Sequence, residues 1–227
     1  MPTPTASGAT RSTAATAVYE RIRNDILAGR LAPGLKLRID QVAKRYGVGS
    51  SPVREALNRL CSDAIVERRE HRGFYVAEVS VHELRELVKT RLWLESIALR
   101  ESIANTAQAW EEGLVLAFHR LSRTPRSRSE GVYDHNPDWE ARHAEFHDAL
   151  ISNCGSAQLF KYCQDLRNKS DRYRLLAAPS VSSRKEQDEH RAIFEAVIAG
   201  ETERAIALLT SHYTVTQTVI EQRYFES

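Results

Sequence analysis

Four histidines have the types and spacing to act on one ion. His143 and His147 lie four apart in RHAEFH (142–147), so on a helix they share one face, one turn apart. The same face carries Phe146 and Leu150. His190 continues an apolar stripe through Ile193, Phe194 and Val197, and His212 shares a face with Ala205, Leu208, Leu209, Thr216 and Val219. Both rings therefore point inward. Gly200 breaks the chain between them. His190 stands ten residues before it and His212 ten after Thr202. In an antiparallel helical hairpin, at about 1.5 Å per residue, both rings sit about 15 Å from the turn and at the same level.

A buried imidazole costs a few kcal/mol unless it finds a partner. Four that converge repel one another when protonated and are idle when neutral. A divalent metal removes both problems. Nitrogen donors suit zinc first, with nickel or iron as alternatives, so the spacing predicts one transition-metal ion per chain at His143, His147, His190 and His212. The plainer alternative is four separate core or surface histidines. His82, His119 and His135 have no such register and are expected at the surface. A hydrolytic helix reads H-E-x-x-H, with the glutamate as base. Here Ala144 occupies that place, and Glu145 and Asp148 are expected to face away. No nucleophile motif, glycine-rich phosphate loop or CxxC appears. The chain is expected not to be an enzyme; a metal-dependent enzyme and a purely structural ion are the alternatives.

Helices must hold these rings. From Val81 onward the pattern is helical nearly throughout, over about 82–104, 106–122, 138–152, 156–177, 184–199 and 202–224. Arg91 falls on the inward face of the first of these, where it can hold a carboxylate by a fork of hydrogen bonds or pair with Glu95 one turn on. The front of the chain differs. Val18, Ile22, Ile26 and Leu27 recur at helical spacing, and Gly29 and Pro33-Gly34 close that run. Asp40 is placed to cap a short helix, QVAKRY, and Gly47 turns the chain. In SSPVREALNRL, Ser51 reads as N-cap and Pro52 as the first helical residue. Val53, Ala56, Leu57 and Leu60 make its buried stripe, leaving Ser51, Arg54 and Asn58 on another face. Two short helices across a glycine turn describe a helix-turn-helix, whose second helix enters the DNA major groove by its N-terminus. The alternation in AIVERREHRGFYVAEV then predicts a two-stranded wing with His71 and Arg72 at its tip.

Residues 1–78 carry 13 Lys and Arg against 8 Asp and Glu, while the remainder carries 19 against 22. A basic front and a mildly acidic back point the front toward a polyanion. The first residues, MPTPTASGATRSTAAT, are small and polar, lack the apolar core of a secretory signal and read as a disordered tail over 1–14. No apolar run approaches the roughly 18 residues of a membrane span. The cysteines, Cys61, Cys154 and Cys163, are odd in number and form no CxxC, which fits a reducing cytoplasm.

The front, LRIDQVAKRYGVGSSPVREALNRLCSDAIVERREHRGFYV, resembles the winged helix-turn-helix of the GntR family of bacterial transcription regulators, carried by PVREAL and the wing glycine. The back resembles the FCD effector domain of the FadR subfamily, through RLWLESIAL (91–99), HAEFHDALISNCGS (143–156), EHRAIFEAVIAGETERA (189–205) and His212. The resemblance implies a mainly α fold: a winged helix-turn-helix of three helices and a hairpin over 15–78, then an all-helical effector-binding and dimerisation bundle over 79–227. It implies contact with double-stranded DNA through Arg38, Ser50, Ser51, Arg54, His71 and Arg72. It also implies a metal held by an aspartate and three histidines, and here His143 stands where that aspartate is usual. A second departure is Ser50, where the family often has an arginine that can read guanine. Together these lead to an expected homodimeric regulator, a repressor, controlled by a small organic acid that binds the ion, with Arg91 holding a second carboxylate.

Overall fold

The computed structural model describes residues 7–27, 29–63, 65–130, 133, 136–177 and 186–225. The chain divides into two compact units, Met1–Ser80 and Val81–Ser227.

The first unit runs α1 (Ser7–Leu27), β1 (Lys36–Leu37), α2 (Ile39–Tyr46), α3 (Ser50–Ser62), β2 (Val66–Arg69) and β3 (Gly73–Val76). Its strands form one antiparallel sheet in the order β1-β3-β2, with Val66 opposite Val76 and Leu37 opposite Phe74. The apolar periodicity explains the packing. Val18, Ile22 and Ile26 of α1 meet Val53, Ala56, Leu57 and Leu60 of α3, with Leu37, Val66, Phe74 and Val76 closing the core from the sheet. Each large aliphatic side chain so buried contributes about 1.5–3 kcal/mol. Gly47 turns α2 into α3 at φ 68°, the left-handed region that a side chain disfavours.

Four details differ from what the sequence predicts. First, α1 begins at Ser7, inside the stretch expected to be disordered; Ala9, Ala14 and Ala15 favour helix even without apolar anchors. Second, β1 adds a strand of two residues, too short to show alternation. Third, Asp40 lies inside the first turn of α2, and Arg38 takes the cap position. Fourth, the N-cap of α3 is Gly49, which puts Ser50, Ser51 and Pro52 all in its first turn.

Asp25 ties α1 to α2. Its carboxylate accepts hydrogen bonds from Tyr46 Oη (2.6 Å), Arg30 Nε (2.8 Å) and Arg45 Nη2 (3.2 Å). Burial alone would raise its pKa, but the Tyr46 and Arg30 hydrogen bonds prevail and hold it below the ordinary carboxylate value. A depressed folded-state pKa gives stability that is full above the unfolded value, about 3.9, and lost as pH falls through the folded one. Asp25→Asn is therefore expected to destabilise the protein at pH 7, with the gap from wild type closing below about pH 4. Urea unfolding at pH 7 and pH 3 checks this; a gap independent of pH would remove the charge from the account.

The second unit is helical among the described residues: α4 (Val81–Ala104), α5 (Gln108–Arg123), α6 (Pro137–Ile151), α7 (Ala157–Leu176), α8 (Glu186–Ile198), α9 (Thr202–Ile220) and a closing π-helical turn, Glu221–Phe225. The six predicted helices match these within a few residues; residues 184 and 185 lie outside the described ones. Asn136 caps α6, accepting from the Asp138 amide at 3.1 Å, and Pro137 opens the helix. Trp110 of α5 donates its indole N–H to the Ala149 carbonyl of α6 at 2.7 Å. Gly200, at φ 71°, makes the turn between α8 and α9, which pack side by side. No helix among the described residues is long and apolar enough to cross a membrane.

Candidate functional site

In the first unit, Arg38, Ser50, Ser51, Arg54, His71 and Arg72 are all exposed. Val53, Ala56, Leu57 and Leu60 turn one face of α3 into the core, which leaves Ser51, Arg54, Glu55 and Asn58 along an open groove on the other. Among the described residues Arg54 has neither ion pair nor hydrogen bond, although Glu55 and Asn58 are near in sequence. Arg59, by contrast, is engaged: it donates to Thr16 Oγ1 at 3.1 Å and lies over the Tyr19 ring at 4.3 Å. His71 sits at the wing tip with φ 55°, a left-handed conformation uncommon for a residue with a side chain. The turn thus carries His71 and Arg72 outward beyond the paired strands.

In the second unit the structure brings His143, His147, His190 and His212 together. One ring nitrogen from each lies within 4.8 Å of all the others, and all four residues are buried. The α8–α9 hairpin sets the His190 and His212 rings 4.7 Å apart. One turn of α6 sets His143 and His147 4.5 Å apart, with their Nε2 atoms at 3.2 Å. An ion with bonds of about 2.0–2.1 Å needs donors roughly 3–4 Å apart. The set could close on a single small ion once ring rotations bring its widest-spaced donors together by about an ångström. Burial, then the neighbouring cationic groups, holds the pKa of His143 and His147 well below the ordinary histidine value. These two rings are therefore neutral at pH 7 and offer lone pairs.

Outer partners fix which nitrogen faces inward. Glu189 Oε2 lies 2.8 Å from His212 Nδ1, so that nitrogen carries the proton and Nε2 is left as donor. Arg91 Nε donates to Glu95 Oε1 at 2.7 Å, and Tyr213 Oη donates to Glu95 Oε2 at 2.5 Å. The Tyr213 oxygen is then free to accept from His147 Nδ1 at 3.2 Å. His143 differs: its Nδ1 is buried with no hydrogen-bond partner, and its ring stacks on Trp139 at 4.7 Å. Tyr213→Phe keeps the shape and breaks this chain. It is expected to weaken zinc binding about 10- to 100-fold, the usual cost of an outer partner, read by chelator competition; unchanged affinity would make the chain incidental.

Beside the rings is a cavity of about 30 Å³, lined among others by Arg91, His143, His147, Arg167, Arg174 and His212. One water needs about 10–15 Å³. Arg91 is buried and lies over the Tyr213 ring at 4.1 Å. Burial works against its charge, but Glu95 and Tyr213 hold it protonated. Arg91 thus makes the pair with Glu95 that was the plainer of its two expected roles, and it also lines the cavity.

Of the other histidines, His82 and His119 are exposed and His135 lies outside the described residues. Glu145 pairs with Arg142. Asp148, expected to face away from the ion, meets Arg167 at 3.3 Å and Gln164 at 2.8 Å. Sequence reasoning missed Glu189, Tyr213 and Arg167. The first two adjoin His190 and His212 in the chain, a signal that adjacency to a ligand could have given.

Comparison with known proteins accords with this geometry. Residues 14–76 match the gntR family of bacterial regulatory proteins, and residues 86–215 match the FCD domain. The chain is 37% identical to the HTH-type transcriptional regulator BphR of Paraburkholderia xenovorans, over 91% of this chain and 84% of that one. It is 31% identical to the HTH-type transcriptional repressor GlaR of Escherichia coli, over 90% and 94%. A GntR regulator from a Rhodococcus species shares the fold, with a TM-score of 0.69 at 21% identity, covering 93% of this chain and 99% of that one. These relatives are regulators of transcription, not enzymes. The chain belongs to the GntR family of bacterial DNA-binding transcription regulators, in the branch that carries an FCD domain.

Proposed function

We propose that this regulator is a homodimeric repressor whose hold on its operator is controlled by a small carboxylate binding at a metal centre formed by His143, His147, His190 and His212. The observation that carries the reading is the convergence of four buried imidazole nitrogens within 4.8 Å, beside a cavity lined by arginines. When bound, a divalent ion supplies a Lewis-acid position for a carboxylate oxygen. The chain's own residues do the rest. Glu189 and Tyr213 orient the rings, and Arg91 adds positive charge at the cavity wall. The first unit reads DNA through Arg54 and the Ser50–Ser51 turn, with Arg38 and the His71–Arg72 wing on flanking backbone or base edges. A two-fold operator calls for two copies of that unit. GlaR carries the name of a repressor, which supports the sign chosen here. An acid acts only through a difference in affinity between DNA-bound and DNA-free arrangements.

The test combines zinc-loaded protein, a duplex selected from a random pool and a panel of small carboxylates. At least one acid is expected to raise the melting temperature and release the duplex. One observation favours a second reading, a purely structural ion: the cavity holds little more than water. That reading prevails if no acid shifts either measurement and chelators simply unfold the second unit.

A further inference from the structure

A second, larger cavity reaches the histidines from outside. It holds about 360 Å³ and is bordered by the end of α5 and the first turns of α6 and α8. Its rim is exposed, at Arg123, Pro125 and Gln187, and its floor is buried, at Trp139 and His190. Of the four rings it is His190 that borders this space. His143 stands behind a layer: the Arg126 guanidinium lies over the Trp139 ring at 5.2 Å, and Trp139 stacks on His143 at 4.7 Å. The Gln187 amide spans the rim, donating to the Ser122 carbonyl at 3.2 Å. The smaller cavity, of about 30 Å³, differs in that none of its described lining residues is exposed. Size separates the two further. A zinc ion with about six waters fills roughly 200 Å³, at about 30 Å³ per water. It fits the larger space and not the smaller one.

We propose that this larger cavity is the passage by which the metal reaches and leaves the buried site, with His190 the first ring to meet it. The proposal rests on the metal-centre reading given above and deepens it by naming the route and the order of capture. His190 takes the place of one water on a hydrated ion that has come in past the rim. The other three ring centres lie 4.7, 5.0 and 5.4 Å from that of His190, so each can replace a further water in turn. Every step exchanges a bond to water for a bond to a ring nitrogen, and nothing is oxidised or reduced. Arg123 and Arg126 line the same passage and repel a bare dication. The traffic is therefore slow in both directions, and its rate, unlike the affinity, is set by residues outside the ring set.

Zinc transfer between the full chain and a chromogenic chelator tests this, read as loading rate, release rate and equilibrium affinity. Gln187→Trp puts an indole into the space from the exposed rim. Loading and release are expected to slow together by about 10- to 100-fold, the cost of moving an inserted ring aside, with affinity at the wild-type value. Ser122→Phe fills the cavity from α5 and serves where the tryptophan variant does not fold. Arg123→Ser removes an exposed charge from the rim. Both rates are expected to rise about two- to fivefold at low salt, and the gain to vanish as salt screens the arginine in the wild type. A substitution that merely firmed or loosened the fold would move release without loading, and so shift the affinity; that result overturns the proposal. Rates untouched by both fillers also overturn it, while leaving the metal centre standing. A wild-type chain that takes up no zinc ends both.

Discussion

His147→Ala is expected to leave the protein unable to hold zinc at concentrations expected to load the wild type. The ring is buried, near His143, His190 and His212, and its outer nitrogen is anchored through Tyr213 and Glu95 to Arg91. Deleting it removes a donor outright. The loss is expected to exceed the about 10- to 100-fold typical of an outer partner. The melting temperature of the zinc-treated protein falls with it, because a ligand that binds only the native state stabilises that state. His143→Ala is the informative contrast. With no partner on Nδ1, this ring is less secured than His147 or His212, and its removal should cost less affinity. Metal analysis after gel filtration and competition with a chromogenic chelator give both numbers. Retention of stoichiometric zinc by His147→Ala would place the ion elsewhere.

Arg54→Ala is expected to weaken operator binding by about 1–3 kcal/mol, or about fivefold to more than a hundredfold, and to relax the preference at the base it is expected to read. Arg54 stands exposed in the second turn of α3 with no acid or amide engaging it, so its guanidinium can meet a base without first breaking an internal hydrogen bond. For the same reason the variant should fold, melt and bind zinc as wild type does. Ser50, one turn earlier, cannot make a bidentate contact to guanine, so Arg54 is expected to carry more of the readout than it would beside a second arginine. Replacing Arg72 or Arg38 should instead lower affinity for all duplexes alike and reduce the salt dependence by about one unit of slope for each phosphate no longer neutralised. Binding isotherms at several salt concentrations separate the two behaviours. Wild-type affinity in Arg54→Ala would displace α3 as the reading helix.

What the sequence disclosed depended on period. The stripe Val53, Ala56, Leu57, Leu60 announced both the buried face of α3 and, by subtraction, its outer face. The same logic turned His190 and His212 inward, and the Gly200 turn put them level. Where no period exists, little was legible. Two residues of β1 cannot alternate. Ser51 has the chemistry of a cap, yet the chain enters α3 two residues earlier, through Gly49 in an extended conformation. The α7 face was hidden for another reason. Arginine and serine at helical spacing read as a solvated surface, and only packing against α4 turns them inside. Glu189 likewise acts across to α9 rather than along its own helix, which no spacing rule reports.

The four rings come from stretches of chain separated by the whole of α7. An ion gripping α6 on one side and the α8–α9 hairpin on the other would join the ends of a long loop, much as a covalent cross-link does. Part of its benefit would then arise in the denatured ensemble, which loses open conformations. That benefit depends on loop length only as a logarithm, about 0.6 kcal/mol per doubling. Extra residues inserted between α7 and α8 should thus hardly weaken the ring, whereas one backbone cut there would open it and make assembly depend on fragment concentration.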